Sequence, residues 1–433
     1  MSDGPISIRG GRLIDPANGV DDLVDLHIAG GRVAAVGAAP PAFDGARIID
    51  ATGLVVCPGL VDLCARLREP GLEHKATIAG ETRAAAAGGI TTLCCPPDTD
   101  PVIDTPAVAQ LIRRTAKVRG RARVLPVGAL TQDLAGTQIS EMAALKQAGC
   151  PVVGHADRPI RNTRVQRRAL EYAATFGLTA FLPPVDAYLT EGGLVHEGLI
   201  STRLGLPGIP EAAETVAVAR DLALAEQTGA RIHFRGLSTA RATAMLAEAR
   251  ARGVAATADV SAHQLMLTEH ALADFQANAH VLPPLRTERD RDGLRAALAD
   301  GVISAVCSDH QPHEPDAKLD PFPQTRPGIS GLETLLPLVL RLVEEGVLRL
   351  ADALARVTCE PADIIGRPLG RLQPGATADV CIFDPQQRWR VGAETLLTRG
   401  HNTPFFGAEL IGRVRWTLLG GAIVHGPEPA ASA

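Results

Sequence analysis

The run Ser308-Asp309-His310-Gln311-Pro312-His313 places a carboxylate and two imidazoles close together, groups able to move a proton or to give lone pairs to a metal ion. Two further clusters are Asp62-Leu63-Cys64-Ala65-Arg66-Leu67-Arg68, with a thiol and two guanidiniums, and His155-Ala156-Asp157. Hydrolysis by metal-bound hydroxide needs about three or more imidazole or carboxylate donors per ion. The chain has 12 histidines but no His-X-His pair. In a strand, residues i and i+2 face the same side, which makes such a pair a natural half-site, and Cys64 and Arg66 stand at that spacing. Arg66 has no lone pair to donate, and its permanent charge repels a cation. Cys64 reads either as a ligand or, better, as a small buried thiol.

The elements that must position these residues alternate. Apolar strand-like runs at 62–66, 90–95, 123–128, 151–154, 178–182, 231–236, 254–259 and 303–307 are separated by helix-period segments at 77–88, 105–119, 139–148, 163–176, 211–229, 239–252 and 290–300, with 331–345 after the last. Eight such units predict a closed (β/α)8 TIM-type barrel, whose chemistry sits at the C-terminal ends of the strands. The clusters above fall at those ends. Of the lysines Lys75, Lys117, Lys146 and Lys318, none ends the fourth strand, which leaves His155 and Asp157 there. Short strand-like runs and glycine turns predict a small antiparallel β unit at the N-terminus, and the similar texture near the C-terminus predicts one small domain built from both ends. The expected division is 1–57 for the N-terminal share of that domain, 58–365 for the barrel, 366–425 for its C-terminal share and 426–433 for a flexible tail. The stretch 183–210 is expected to loop over the barrel mouth.

Net charge −5 and a pI near 6.2 give no broad basic field, so nucleic acid and anionic lipid are not expected partners. With no signal-like N-terminus and no membrane-length apolar run, the expected location is cytoplasmic. The eight cysteines lack C-x-x-C spacing and are expected as buried free thiols.

Several separated motifs then recur in the order found in one family. Leu67-Arg68-Glu69-Pro70-Gly71, Thr82-Arg83-Ala84-Ala85-Ala86-Ala87-Gly88-Gly89-Ile90, Arg203-Leu204-Gly205-Leu206-Pro207-Gly208-Ile209-Pro210, Pro283-Pro284-Leu285-Arg286-Thr287-Glu288 and Gly331-Leu332-Glu333-Thr334 make the chain resemble class I dihydroorotases of the amidohydrolase superfamily over nearly its whole length, and the resemblance implies that the small domain is a β-sandwich. The resemblance implies histidines where this chain has Cys64 and Arg66, a modified or acidic group near His155, and histidines at Pro183 and Gly236. All of these metal positions depart from the family pattern. Asp309 matches the family's aspartate that binds metal and shuttles a proton, and stands as a relict. Arg68 and His313 match the carboxylate-binding arginine and the pocket histidine, and Asp98 stands where an asparagine is usual, setting an anion beside a carboxylate ligand.

Arg68 is open to a second reading as an ion pair with Glu69 or another loop carboxylate, and Asp309-His310 to one as a helix cap. His263, His270 and His280 read as structural. The expectation is therefore a catalytically inactive dihydroorotase-like pseudoenzyme without a cofactor. Inactive chains of this kind resemble the present one and partner the aspartate carbamoyltransferase catalytic chain, so a hetero-oligomer in pyrimidine biosynthesis is expected. The alternatives are an active cyclic-amide hydrolase with an atypical zinc centre of Cys64, His155, Asp309 and His310 or His313, and a small-anion sensor using a remnant pocket.

Overall fold

A computed structural model describes residues 4–427. The barrel strands are β1 (Leu60–Asp62), β2 (Ile90–Cys95), β3 (Arg123–Pro126), β4 (Val152–Gly154), β5 (Thr179–Leu182), β6 (Ile232–Phe234), β7 (Ala256–Ser261) and β8 (Ala305–Cys307). Each pairs in parallel with the next, β3 reaching β4 through Gly128–Ala129. The ring closes where Arg66 N donates to His310 O at 2.9 Å and His310 N to Cys64 O at 3.2 Å. Every residue of β2 is buried, as expected of a strand covered by helices outside and side chains inside.

The helices that clothe the barrel are α1 (Ile78–Ala87), α2 (Pro106–Arg119), α3 (Met142–Gln147), α4 (Thr163–Thr175), α5 (Ala212–Thr228), α6 (Ala240–Ala251), α7 (Glu288–Ala299) and α8 (Leu335–Glu344). Several start where the sequence supplies a capping side chain. Thr77, Asn162, Thr239 and Thr287 each accept a backbone N–H of the first turn, which leaves fewer helix donors without partners. Alanine-rich inner faces on α1 and α6 then let these helices lie close to the sheet.

The strand order matches expectation, with two shifts: the seventh strand, expected at 254–259, runs over Ala256–Ser261, and the first is displaced as well. The first strand is expected at 62–66, but its regular ladder breaks at Asp62 and resumes at Ala65 and Arg66, whose N–H groups donate to Cys94 O at 3.0 Å and His310 O at 2.9 Å. At the break the Asp62 carboxylate accepts the N–H groups of Cys64 at 3.3 Å and Ser308 at 3.0 Å, replacing ladder bonds with side-chain bonds. Cys64 and Arg66 follow in an extended segment that still faces the barrel axis.

The termini build one sandwich. A four-stranded sheet (Ile6–Arg9, Leu26–Ala29, Arg32–Val36, Arg47–Asp50) faces a six-stranded sheet in which Val55–Pro58 pairs with both Arg12–Asp15 and Val380–Arg390. Ile6, Ile8, Leu26, Val380, Ile382 and Leu418 share its core, so neither end can bury its apolar face alone. The sheets are not purely antiparallel. Ile6–Arg9 runs parallel to Arg47–Asp50, a pairing open to strands that no tight turn connects. Of the expected tail, 428–433 lies outside the described residues.

Over the mouth, 183–210 carries its own structure: Val195–His196 pairs with Gly208–Ile209, and a short helix spans Leu199–Leu204. Among the described residues no helix is long and apolar enough to cross a membrane.

Candidate functional site

At the C-terminal mouth of the barrel, where a hydrolase of this architecture assembles its metal, two arginines converge on three aspartates. Arg66, after β1, donates from Nε to Asp98 at 2.7 Å and from Nη2 to Asp157 at 2.5 Å, with Nη1 3.5 Å from Asp309. Arg235, which ends the β6 segment, donates to the other oxygen of Asp157, to Asp309 at 3.2 Å and to the Cys64 sulfur at 2.9 Å. Gln311 adds two bonds of 3.3 Å to Asp309. The side chains of Arg66, Arg235 and Asp309 are 4%, 9% and 8% exposed, so these three charges are held chiefly by their partners, while Asp98 at 23% and Asp157 at 33% also reach solvent.

The electrostatics follow. Burial favours a neutral Asp98, but the charge and hydrogen bond of Arg66, with Arg68 and Arg235 behind them, outweigh it and hold the carboxyl below its usual range. Burial pushes the Cys64 thiol far above the ordinary value, so it stays protonated and donates to Asp309 at 3.3 Å.

The family resemblance pairs Arg68 and His313 as substrate binders, and the structure places them side by side. Arg68 Nε donates to Pro312 O at 3.1 Å, and Arg68 Nη2 lies 3.3 Å from His313 Nε2, while Lys75 Nζ lies 3.1 Å from His313 Nδ1. Glu69 does not pair with Arg68; it accepts the N–H of Ile78 at 2.8 Å, at the start of α1. Burial, reinforced by the charges of Arg68 and Lys75, drives His313 down to about 3. Burial and the Arg66 charge lower Arg68 to about 10, so Arg68 remains a cation and His313 a neutral ring at physiological pH. The space left among Arg66, Arg68 and Asp98 is about 10 Å³. That is about the space of a single water, whereas His313 borders a neighbouring space of about 220 Å³ together with Glu314, Lys318 and Arg399.

His155, His310, His263 and His280 are bonded elsewhere, and His270, expected as structural, is exposed. His155 is hydrogen-bonded to Thr131 at 2.7 Å and to the Arg158 carbonyl. His310 lies 2.9 Å from Glu81 through Nε2 and accepts the Gly331 N–H at 3.1 Å through Nδ1, with no exposed surface. His263 bonds Ser261 at 3.0 Å, His280 bonds Thr325 at 2.8 Å, and burial holds both at about 4. Pro183 lines a cavity of about 150 Å³ that Asp157 and Arg235 of the cluster also line, together with Pro283, Pro284 and Arg286. Gly236 adopts φ 74° and gives its N–H to Asp259 at 2.6 Å.

These residues do not fit a zinc centre. Among the described residues no three His, Cys, Asp or Glu side chains converge so as to hold a metal ion. Of the atypical set Cys64, His155, Asp309, His310 and His313, only Cys64 and Asp309 meet. Asp157 and Asp309 already receive two guanidiniums. Asp309 and Arg68 are also held at φ 43° and 63°, in the left-handed region that non-glycine residues rarely adopt, a strained backbone that aims both side chains into the mouth.

Arg235 escapes a search of the sequence for metal ligands. It is nonetheless legible as an arginine ending the apolar run Ile232-His233-Phe234, at the C-terminal end of a barrel strand, where a charge must point into the mouth.

The fold and this mouth define a member of the amidohydrolase class. A model of the amidohydrolase family matches residues 190–424, and one described as dihydro-orotase-like matches 53–241. A dihydroorotase-like protein of Pseudomonas putida is 52% identical over 98% of this chain and 100% of its own length. A dihydroorotase of Trichlorobacter lovleyi is 42% identical over 96% and 98%. The L-hydantoinase (dihydropyrimidinase) of Arthrobacter aurescens superposes with a TM-score of 0.88 at 22% identity, covering 100% of this chain and 98% of that one, and supports the fold. The chain belongs to the dihydroorotase-like family of amidohydrolases.

Proposed function

We propose that this chain is a catalytically inactive dihydroorotase-like subunit that serves as a structural partner of the aspartate carbamoyltransferase catalytic chain in pyrimidine biosynthesis. The observation that carries the inactive half is the pairing of Arg66 and Arg235 with Asp98, Asp157 and Asp309 where metal ligands would have to stand. A guanidinium is permanently charged and has no lone pair to give, so while Arg66 and Arg235 hold these carboxylates they both occupy the donors and repel a divalent ion. Proton transfer is no better served, because His155, His310 and His313 each bond to groups other than Asp309. The partner half rests on the family resemblance and on a fold kept intact while its chemistry is lost.

Two measurements test the reading. The purified chain, assayed with dihydroorotate and excess zinc, is expected to show no turnover above the uncatalysed rate. Mixed with the carbamoyltransferase catalytic chain, it is expected to sediment as a larger complex and to raise carbamoyltransferase activity or thermal stability. Turnover would overturn the inactive half, and independent sedimentation would overturn the partner half.

A further inference from the structure

Helix α2 and the segment that follows it carry a concentration of charge at odds with the rest of the chain. Between Asp104 and Asp133 the sequence contains Arg113, Arg114, Lys117, Arg119, Arg121 and Arg123 and no acidic residue, although the chain as a whole has net charge −5. Arg123 is paired with Asp379 at 2.7 Å, Arg113 with the Ala148 carbonyl at 2.7 Å, and Arg121 with the Val424 carbonyl at 3.4 Å. Arg114, Lys117 and Arg119 have no salt-bridge or hydrogen-bond partner among the described residues. Val108, Ala109, Ile112 and Ala116 turn inward, which fixes the outward face by helical period.

That outward face is not merely a solvated charged stripe. Leu111 is 50% exposed and Val118 75% exposed; they lie seven residues apart on one side of the helix, with Arg114 between them. On the other flank, Arg113, Arg114 and Lys117 border a groove of about 550 Å³ floored by Val124, Leu125 and Leu419. Exposed aliphatic side chains set among unpaired cations suit a protein surface with an apolar patch ringed by carboxylates, and arginine is enriched in such contacts. A polyphosphate backbone would have no use for Leu111 and Val118.

We infer that the outward face of α2, centred on Leu111, Arg114, Lys117 and Val118, is a docking surface for an acidic surface of a folded partner protein. The inference rests on the partner reading above and assigns it a place on the chain. None of these residues belongs to the barrel mouth, so docking there asks nothing of the Arg66–Arg235 cluster.

The test compares the wild-type chain with Arg114→Glu/Lys117→Glu and with Arg164→Glu/Arg168→Glu, which makes the same charge change on the exposed face of α4. Each is titrated with the carbamoyltransferase catalytic chain at low and high salt, and circular dichroism checks that each melts like the wild type. The expected result is affinity that falls with salt, at least tenfold weaker binding for the α2 variant, and little change for the α4 variant. Leu111→Ser/Val118→Ser is expected to weaken binding while keeping its salt dependence. Equal affinities for the wild type and a folded α2 variant, or equal weakening by both charge reversals, would overturn the surface but leave the partner reading standing. No complex with the wild-type chain would overturn both.

Discussion

Replacing Arg66 by methionine keeps most of the apolar stem and removes the charge that faces Asp98, Asp157 and Asp309 at 2.7, 2.5 and 3.5 Å. Removing one partner of a buried ion pair costs about 3–5 kcal/mol, because the remaining charge is left without compensation. Arg235 still reaches Asp157 and Asp309, so the uncompensated group is chiefly Asp98 and the loss belongs at the lower end, about 3 kcal/mol. Unfolding entropy of about 2.1 cal/mol/K per residue over 433 residues is about 0.9 kcal/mol/K, which turns that loss into a melting point lower by about 3 °C. Adding Asp98→Asn to Arg66→Met is expected to restore about half of the drop, since the orphaned charge is then gone. Differential scanning calorimetry reads both. A single variant that melts within about 1 °C of the wild type, or a double variant no better than the single, would refute the claim that these guanidiniums are held as buried counter-ions.

Burial lifts the Asp62 carboxyl to about 7, against the hydrogen bonds from Ser308 and Cys64. Below that value its folded form is the neutral acid, whose contribution is full below the ordinary carboxylate range and is lost as pH rises through about 7. The stability of Asp62→Asn relative to wild type should therefore increase between pH 5 and 8, measured by urea unfolding; a difference independent of pH would contradict the assignment. All eight cysteines are buried and free, so a thiol reagent should label the native chain only slowly and the denatured chain at eight sites. Rapid native labelling of Cys64 would mean an open mouth. Glu214 accepts the N–H groups of Ser238 and Thr239 and both hydroxyls at the start of α6. Glu214→Ala is expected to cost about 3 kcal/mol in urea unfolding, and a cost below about 1 kcal/mol would show that water replaces those bonds.

The barrel is legible in the sequence because strand runs such as Ile90–Cys95 are apolar throughout and are followed by helices of regular period, a pattern that local chemistry dictates. The sandwich is legible as β texture at both ends, but its parallel pairing is not, since Ile6–Arg9 and Arg47–Asp50 are joined by tertiary contacts and not by a turn. At the site, Arg66 stands out as a cation at a ligand spacing. Arg235 does not, because a search for missing donors is blind to charges that have arrived. The commitment of His310 to Glu81 is also hidden, as those residues lie far apart in the chain and only the closed barrel brings them within 2.9 Å.

Paired guanidiniums stand where lone-pair donors would be needed to hold a metal ion. Equilibrium dialysis of the purified chain against micromolar zinc, followed by elemental analysis, tests this most directly. Zinc is expected to be retained far below one equivalent, by the wild type and by Arg66→Met alike. Retention of one or more equivalents by the wild type, lost when Asp309 is replaced by asparagine, would contradict it.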